Sequence, residues 1–246
     1  MPYKFIIAFI FTAGIVGCLQ PNDPGEQPTA DKNTNEDYLD KTRKMVKAGK
    51  YSEALERYRW FDAHILEQDP ELAGVRRSFA LAYWKELGDV YPPAMDALKD
   101  NRESKTGQLI AKGTSSDLFA EVAAINSVLG ENTKTIALFE IISSNYPGLA
   151  KDACRYVLDD LLDAKKYELV KKNIGDPLDH YKRIESAYKK SLEELGQTHK
   201  DLSTYMKNNF TKKTTQLIRY CLAVNDLVTA EEIQTRSMLL ANNPRG

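Results

Sequence analysis

From Tyr38 onward the apolar residues return at spacings of three and four, the period of one helix face. Tyr51, Ala54, Leu55, Tyr58, Phe61 and Ile65 form one such stripe, and Leu72, Val75, Phe79, Ala82 and Trp84–Leu87 form the next. Leu118, Phe119, Val122, Ile125, Val128 and Leu129 follow, then Ile136, Phe139 and Ile142. Gly49, Gly88, Gly130 and Asn225 mark the breaks, as helix-ending residues do. No alternating strand run of useful length interrupts them. The pattern predicts an all-α domain over residues 38–246. Ahead of it, Phe5–Gly17 is an almost unbroken apolar run, and the stretch from Leu19 to about Asp37 is polar and proline-rich. That stretch holds too little apolar surface to offset its ordering entropy and reads as a flexible tether.

The helices also repeat. Gly49-Lys50-Tyr51-Ser52-Glu53-Ala54-Leu55-Glu56-Arg57-Tyr58 resembles the inter-helix turn and second helix of a tetratricopeptide repeat. In that family glycine makes the turn, tyrosine packs between helices and alanine admits a close helix approach. Leu87-Gly88-Asp89-Val90-Tyr91-Pro92-Pro93-Ala94 resembles a second copy with one inserted residue. Leu129-Gly130 followed by Ile136, Leu138 and Phe139 resembles a third, Lys166-Tyr167-Glu168-Leu169-Val170 a fourth, and Asn225-Asp226-Leu227-Val228-Thr229-Ala230 a last. The alanine slots then fall at 54, 94, 136, 170 and 230, about 40, 42, 34 and 60 residues apart against a nominal ~34. Tyr38 and Thr42 stand where the family's first-helix tryptophan and glycine would fall. The resemblance implies a stack of antiparallel helical hairpins, an α-solenoid with about five degenerate units. Within the long last interval, Tyr181, Ile184, Tyr188, Leu192 and Leu195 predict an extra helix near residues 178–205, leaning on the stack by one narrow face.

The apolar leader after Lys4 is shorter than the ~20 residues a spanning helix needs and suits a secretory signal. It ends in Ile15-Val16-Gly17-Cys18, which resembles a bacterial lipobox. The resemblance implies a signal peptide of residues 1–17 that is removed, a lipidated Cys18, and a tether over residues 18–37. An ordinary signal cut after Gly14 or Gly17, or a cytosolic chain with an apolar tail, are the competing readings. Leu19, rather than aspartate, follows the cysteine. In a bacterium with two membranes this favours the outer membrane, at its periplasmic face or the cell surface.

Composition adds bounds rather than a reaction. The chain has 246 residues and a formal net charge of −1, so no strong imbalance points to nucleic acid. Cys154 and Cys221 sit among apolar neighbours and read as buried thiols, with a bridge between them the alternative in an exported protein. His64, His180 and His199 have no partner at a metal-ligand spacing, and neither a nucleophile motif nor a phosphate loop is present. In Gly107–Ser116 the lysine precedes the glycine, so Ser115 or Ser116 reads as a helix cap. Asp159-Asp160 and Glu193-Glu194 are neighbours on helices and point about 100° apart, which is poor geometry for an acid/base pair. Trp60, Trp84, Tyr83 and Tyr91 fall on the apolar stripes and read as inter-helix core. Between Lys165 and Tyr220 basic residues outnumber acids, with Lys165-Lys166, Lys171-Lys172, Lys189-Lys190 and Lys212-Lys213. That excess reads as ordinary solvation or as a basic face for lipid headgroups, cell-wall polymer or an acidic partner.

The sequence thus predicts a non-enzymatic lipoprotein of the bacterial envelope. Cys18 would hold it to the membrane, and its helical surface would bind a protein or peptide without a cofactor, metal or nucleic acid. Anchor, tether and hairpin number are also similar in layout to the tetratricopeptide-repeat lipoprotein of the outer-membrane barrel-assembly machinery, so a part in outer-membrane protein assembly is an alternative. A glycan- or cell-wall-binding, or glycan-acting, helical protein is another.

Overall fold

The computed structural model describes residues 32–195 and 200–242, with side chains within 38–194 and 202–242. The signal segment, Cys18 and the tether as far as residue 31 lie outside the described residues, as does His199. Among the described residues every regular element is helical. α1 (Lys32–Lys47) pairs with α2 (Tyr51–Gln68). A 3-10 turn at Pro70–Leu72 leads into α3 (Ala73–Val75), a π-turn at Arg76–Ala80 and α4 (Leu81–Val90), which run on as one rod and pair with α5 (Pro92–Lys112). α6 (Ser116–Val128) pairs with α7 (Asn132–Asn145). α8 (Pro147–Ala153), a 3-10 turn at Cys154–Tyr156 and α9 (Leu158–Asp163) return against α10 (Tyr167–Ile174). α11 (Pro177–Leu195) then packs on the final hairpin, α12 (Lys200–Ala223) and α13 (Leu227–Asn242).

Two boundaries differ from the sequence reading. α1 begins at Lys32, inside the stretch read as tether, because Lys32–Asp37 carries no apolar residue through which helical periodicity could show. The single helix expected near 178–205 is α11 up to Leu195, with α12 already under way from Lys200. The narrow face itself is as expected: Tyr181, Tyr188 and Leu192 are buried, and the Tyr188 and Phe210 rings stack at 4.5 Å between centroids.

Four hairpin turns share one hydrogen-bond plan. In the first, Gly49 takes φ +77°, its N–H donates to the Val46 carbonyl at 3.0 Å, and the Lys50 N–H donates to Met45 at 3.0 Å. The same pair of bonds closes around Gly130 (φ +69°), Lys165 (φ +56°) and Asn225 (φ +61°). This is the Schellman ending, in which a left-handed residue lets two orphan carbonyls of the helix be satisfied. Five residues after each left-handed residue comes a buried one: Ala54, Thr135, Val170 and Ala230. Ile136, expected in the third slot, is half-buried and one position off register. Thr135 occupies the slot, and its hydroxyl accepts from Asn126 Nδ2 at 3.0 Å, so a polar residue is tolerated in the core. The second turn is built differently. Gly88 lies inside α4, where its missing Cβ lets Met95 of α5 approach, and Tyr91 (φ −135°) turns the chain into Pro92 at the first helical position.

Lys165 occupies a backbone conformation that costs an L-residue about 1–2 kcal/mol. Lys165→Gly is therefore expected to raise the unfolding free energy by about 0.5–1 kcal/mol, the greater freedom of glycine in the unfolded chain absorbing part of the gain. Gly49→Ala should move the urea midpoint in the opposite direction. Equal midpoints for Lys165→Gly and the parent would refute the strain.

The core is two apolar clusters that meet within α5 and α6. One gathers Tyr38, Leu55, Phe61, Trp84, Leu98 and Ile125, and the other runs from Leu109, Phe119 and Phe139 to Tyr220 and Ile233. Tyr38 and Thr42, in the places the repeat family gives to tryptophan and glycine, are both buried. The Thr42 hydroxyl donates to the Tyr38 carbonyl at 2.7 Å and accepts from Arg57 Nε at 2.9 Å. The Arg57 guanidinium lies 3.7 Å from the Tyr38 ring centroid, and burial pushes the Tyr38 phenol up to about 12. One stripe is rephased. Phe79 was expected on the core face but is 61% exposed, because the π-turn inserts a residue and hands the inward positions to Ala80, Leu81, Trp84 and Leu87.

Candidate binding cleft

Where α10 ends, the chain must turn from the α8–α10 layer onto α11. Gly175, at φ +71° and ψ −142°, makes that corner in a region close to glycine's own. Asp176 then starts α11, its carboxylate accepting from the Asp179 N–H at 2.9 Å. Because α11 leans on α12 and α13 by a narrow face, its first turns stand off from α8, and a cleft of about 700 Å³ opens between them. Its volume falls within the ~300–1,000 Å³ typical of ligand pockets.

The floor is apolar, from Leu158, Ile174, Ile184 and Leu217, and the walls carry Lys151, Arg155, Lys172, Arg183 and Lys213. Asp152, Asp176 and Asp179 are exposed at the rim. Elsewhere in the basic segment several lysines and arginines are neutralised nearby, Lys166 by Glu140, Lys189 by Glu185, Lys212 by Asp159, and Arg219 by Asp159 and Asp163, while Lys165, Lys171 and Lys207 stand apart on the exposed surface. Among the described residues the five cations of the cleft walls make no ion pair. Lys172 Nζ donates to the Ser143 carbonyl at 2.8 Å, and Arg155 Nη2 donates to the Tyr156 hydroxyl at 2.7 Å. Asp179 is drawn mainly to Lys182 at 2.8 Å, and Lys182 with Arg183 holds its carboxyl below the usual range.

His180 lies partly buried among these cations. Its ring nitrogen Nδ1 lies 3.3 Å from Arg183 Nη2, and burial, then Arg183 and Lys213, hold it below the ordinary histidine value against a raising hydrogen bond at Ile174. Burial and the neighbouring Arg155 likewise lower the Lys213 ammonium. Unpaired cations from α8, the following 3-10 turn, α10, α11 and α12 therefore face one recess with an apolar base. Such an arrangement can hold an anion and an apolar group side by side.

The other sequence candidates do not converge. His64 is exposed, 5.7 Å from the Trp60 ring and 3.5 Å from Glu67. Asp159 accepts from Gln216 at 2.8 Å while Asp160 accepts from Asn132 at 2.9 Å, on different neighbouring helices. Burial, offset in part by Asn132, raises the Asp160 carboxyl. Glu193 and Glu194 are exposed, and Glu194 faces Lys190 at 3.7 Å. Ser115 caps α6, its hydroxyl accepting from the Leu118 N–H at 3.1 Å. Cys154 and Cys221 are free and buried, with thiols pushed up to about 12 and about 11 by desolvation first. No group of three or more metal-ligating side chains, and no helix long and apolar enough to cross a membrane, occurs among the described residues. Of the cleft cations, Lys172, Arg183 and Lys213 lie in the basic segment singled out from sequence. Lys151 and Arg155 lie before it and join only through the fold.

Comparison of the chain with family models, with curated proteins and with solved structures gives no match in any of the three.

Proposed function

We propose that the protein is a non-enzymatic, lipid-anchored bacterial envelope protein whose helical hairpins, tetratricopeptide-like in their turns, bind a protein or peptide at the membrane. The cationic cleft between α8–α10 and α11–α12 is the binding surface in this reading. The observation that carries it is the recess itself, in which cations left without carboxylate partners stand above an apolar floor. Supporting the repeat likeness are the four Schellman turns, each followed at the fifth residue by a buried slot. Cys18 and the proline-rich tether give the domain its address. Lipidation would hold it at the membrane, and tethering raises its effective concentration for a partner there.

Each buried CH₂ contributes about 0.8 kcal/mol to anchoring, so two or more acyl chains give stable attachment where one does not. Cys18→Ala is expected to abolish palmitate labelling and move the protein from the membrane to the soluble fraction. Labelling that persists in the variant would sink the anchor. In-cell crosslinking of the lipidated protein tests the binding reading, for which a reproducible envelope protein partner is the expected product.

A further inference from the structure

We propose that the cleft takes an acidic peptide segment, with Arg155, Arg183 and Lys213 receiving its carboxylates and the Leu158–Ile184–Leu217 floor receiving an apolar side chain between them. This rests on the protein-binding reading above and adds the chemistry of the partner. The charge pattern selects the ligand class. A dense polyanion such as a nucleic acid or polyphosphate would press phosphates against Asp152, Asp176 and Asp179 on the same rim. The five cations are themselves exposed, so an anionic bilayer is the rival source of negative charge; the apolar floor between them favours a peptide, which brings an apolar side chain along with its carboxylates. A peptide with spaced carboxylates meets the cations and leaves the rim acids to its backbone N–H groups or to a basic residue. The recess is also short of negative charge as it stands. Arg155 and Lys213 both line it and are close enough for Arg155 to lower the Lys213 ammonium, and Arg183 sits beside His180. A carboxylate placed beside Arg155 and Lys213 relieves their mutual repulsion, and Arg adds a planar fork suited to two-point contact.

The test uses the full lipidated chain in detergent and a fluorescein-labelled octapeptide alternating glutamate and leucine, read by anisotropy. Its glutamine–leucine and lysine–leucine counterparts, inorganic phosphate and phosphatidylglycerol vesicles serve as competing probes. Only the glutamate peptide is expected to bind, and R155E/K213E should weaken it at least tenfold. K171E/K207E makes the same charge change at exposed positions outside the cleft and should retain binding. Unchanged thermal melts verify that both variants fold. The His180 imidazole, followed by NMR and assigned through His180→Gln, should titrate at higher pH once the peptide is bound, because a nearby carboxylate favours its charged form.

Equal weakening by both double variants would mean diffuse charge attraction and overturns the proposal. Binding of phosphate or vesicles in place of the peptide overturns it as well. If R155E/K213E still crosslinks the partner captured by the parent, the partner meets another face, so the cleft assignment falls while the protein-binding reading stands. If the parent captures no partner but binds the glutamate peptide in the cleft, the wider reading fails and the site assignment stands.

Discussion

Glu121→Gln is expected to destabilise the protein by about 3–5 kcal/mol, the usual cost of removing one partner from a buried ion pair. Glu121 of α6 pairs with Arg76 from the π-turn and with Lys105 of α5 at 3.0 Å. Lys105 also reaches Asp62 of α2 at 2.7 Å, and Arg76 Nη1 donates to the Asp62 carbonyl at 2.7 Å. Asn101 completes the group, donating to the Asp62 carboxylate at 2.9 Å. The four charged side chains are between 10% and 15% exposed, so water offers little compensation. Two positive and two negative charges balance here, and glutamine at 121 leaves one cation uncompensated. Arg76 Nε already lacks a hydrogen-bond partner, so the guanidinium has little reserve. Urea unfolding measures the loss, which is a large share of the ~5–15 kcal/mol that folded domains possess. A double-mutant cycle gives the sharper result: Lys105→Met added to Glu121→Gln restores neutrality and should recover part of the loss. Additive losses, or a single-variant cost below about 1 kcal/mol, would refute coupling through this group.

That group also shows what the sequence could and could not convey. Amphipathic stripes are local, and they were legible: Ala54, Leu55, Tyr58, Phe61 and Ile65 are all buried, as their spacing required. Turn chemistry was legible where glycine or asparagine announced it, at Gly49, Gly130 and Asn225. It was hidden at Lys165, where a residue with no left-handed preference is held in that conformation by two backbone hydrogen bonds. The register of the third slot was misread by one residue because Ile136 is apolar and Thr135 is not. Only the partner hydrogen bond from Asn126, supplied by another helix, makes a buried threonine acceptable.

The π-turn at Arg76–Ala80 explains the largest local error and ties it to the buried charges. A straight α-helix would have put Phe79 on the core face; the extra residue turns Phe79 outward and leaves Arg76 aimed at Asp62 and Glu121. Such a bulge leaves no local mark, since its stabilising partners lie on α2 and α6. The cleft is non-local for the same reason. A charge excess after Lys165 could be read along the chain, but which cations stay unpaired depends on the neighbours that α7, α9 and α11 supply. Arg155 and Lys213, 58 residues apart in sequence, line one recess only because the 3-10 turn after α8 and the middle of α12 come together in the fold.

Trp84→Ala should cost about 3–5 kcal/mol, the range for emptying a large aromatic from a packed core. Trp84 is 3% exposed, and its indole Nε1 donates to the Ala94 carbonyl at 3.0 Å, across the second hairpin. That hairpin is the one without a left-handed residue at its turn, so its geometry depends on side chains more than the others do. The Tyr91 N–H satisfies Leu87 at 2.8 Å, Pro92 starts α5, and Gly88 allows Met95 to close on α4. The indole then spans the closed pair and fixes the depth of α5 against α4. Trp84→Phe keeps most of the apolar contact but loses the donor, so a loss of about 1–2 kcal/mol is expected, set by the missing hydrogen bond. Trp60 provides the control: it is half-buried and tilted at 5.5 Å from the Tyr38 ring, and Trp60→Phe should cost less than Trp84→Phe. In the Trp60→Phe background Trp84 is the sole tryptophan, and its emission should be blue-shifted when folded and move red through the urea transition. Red-shifted emission from the folded protein, or a Trp84→Ala variant as stable as its parent, would contradict the role given to this side chain.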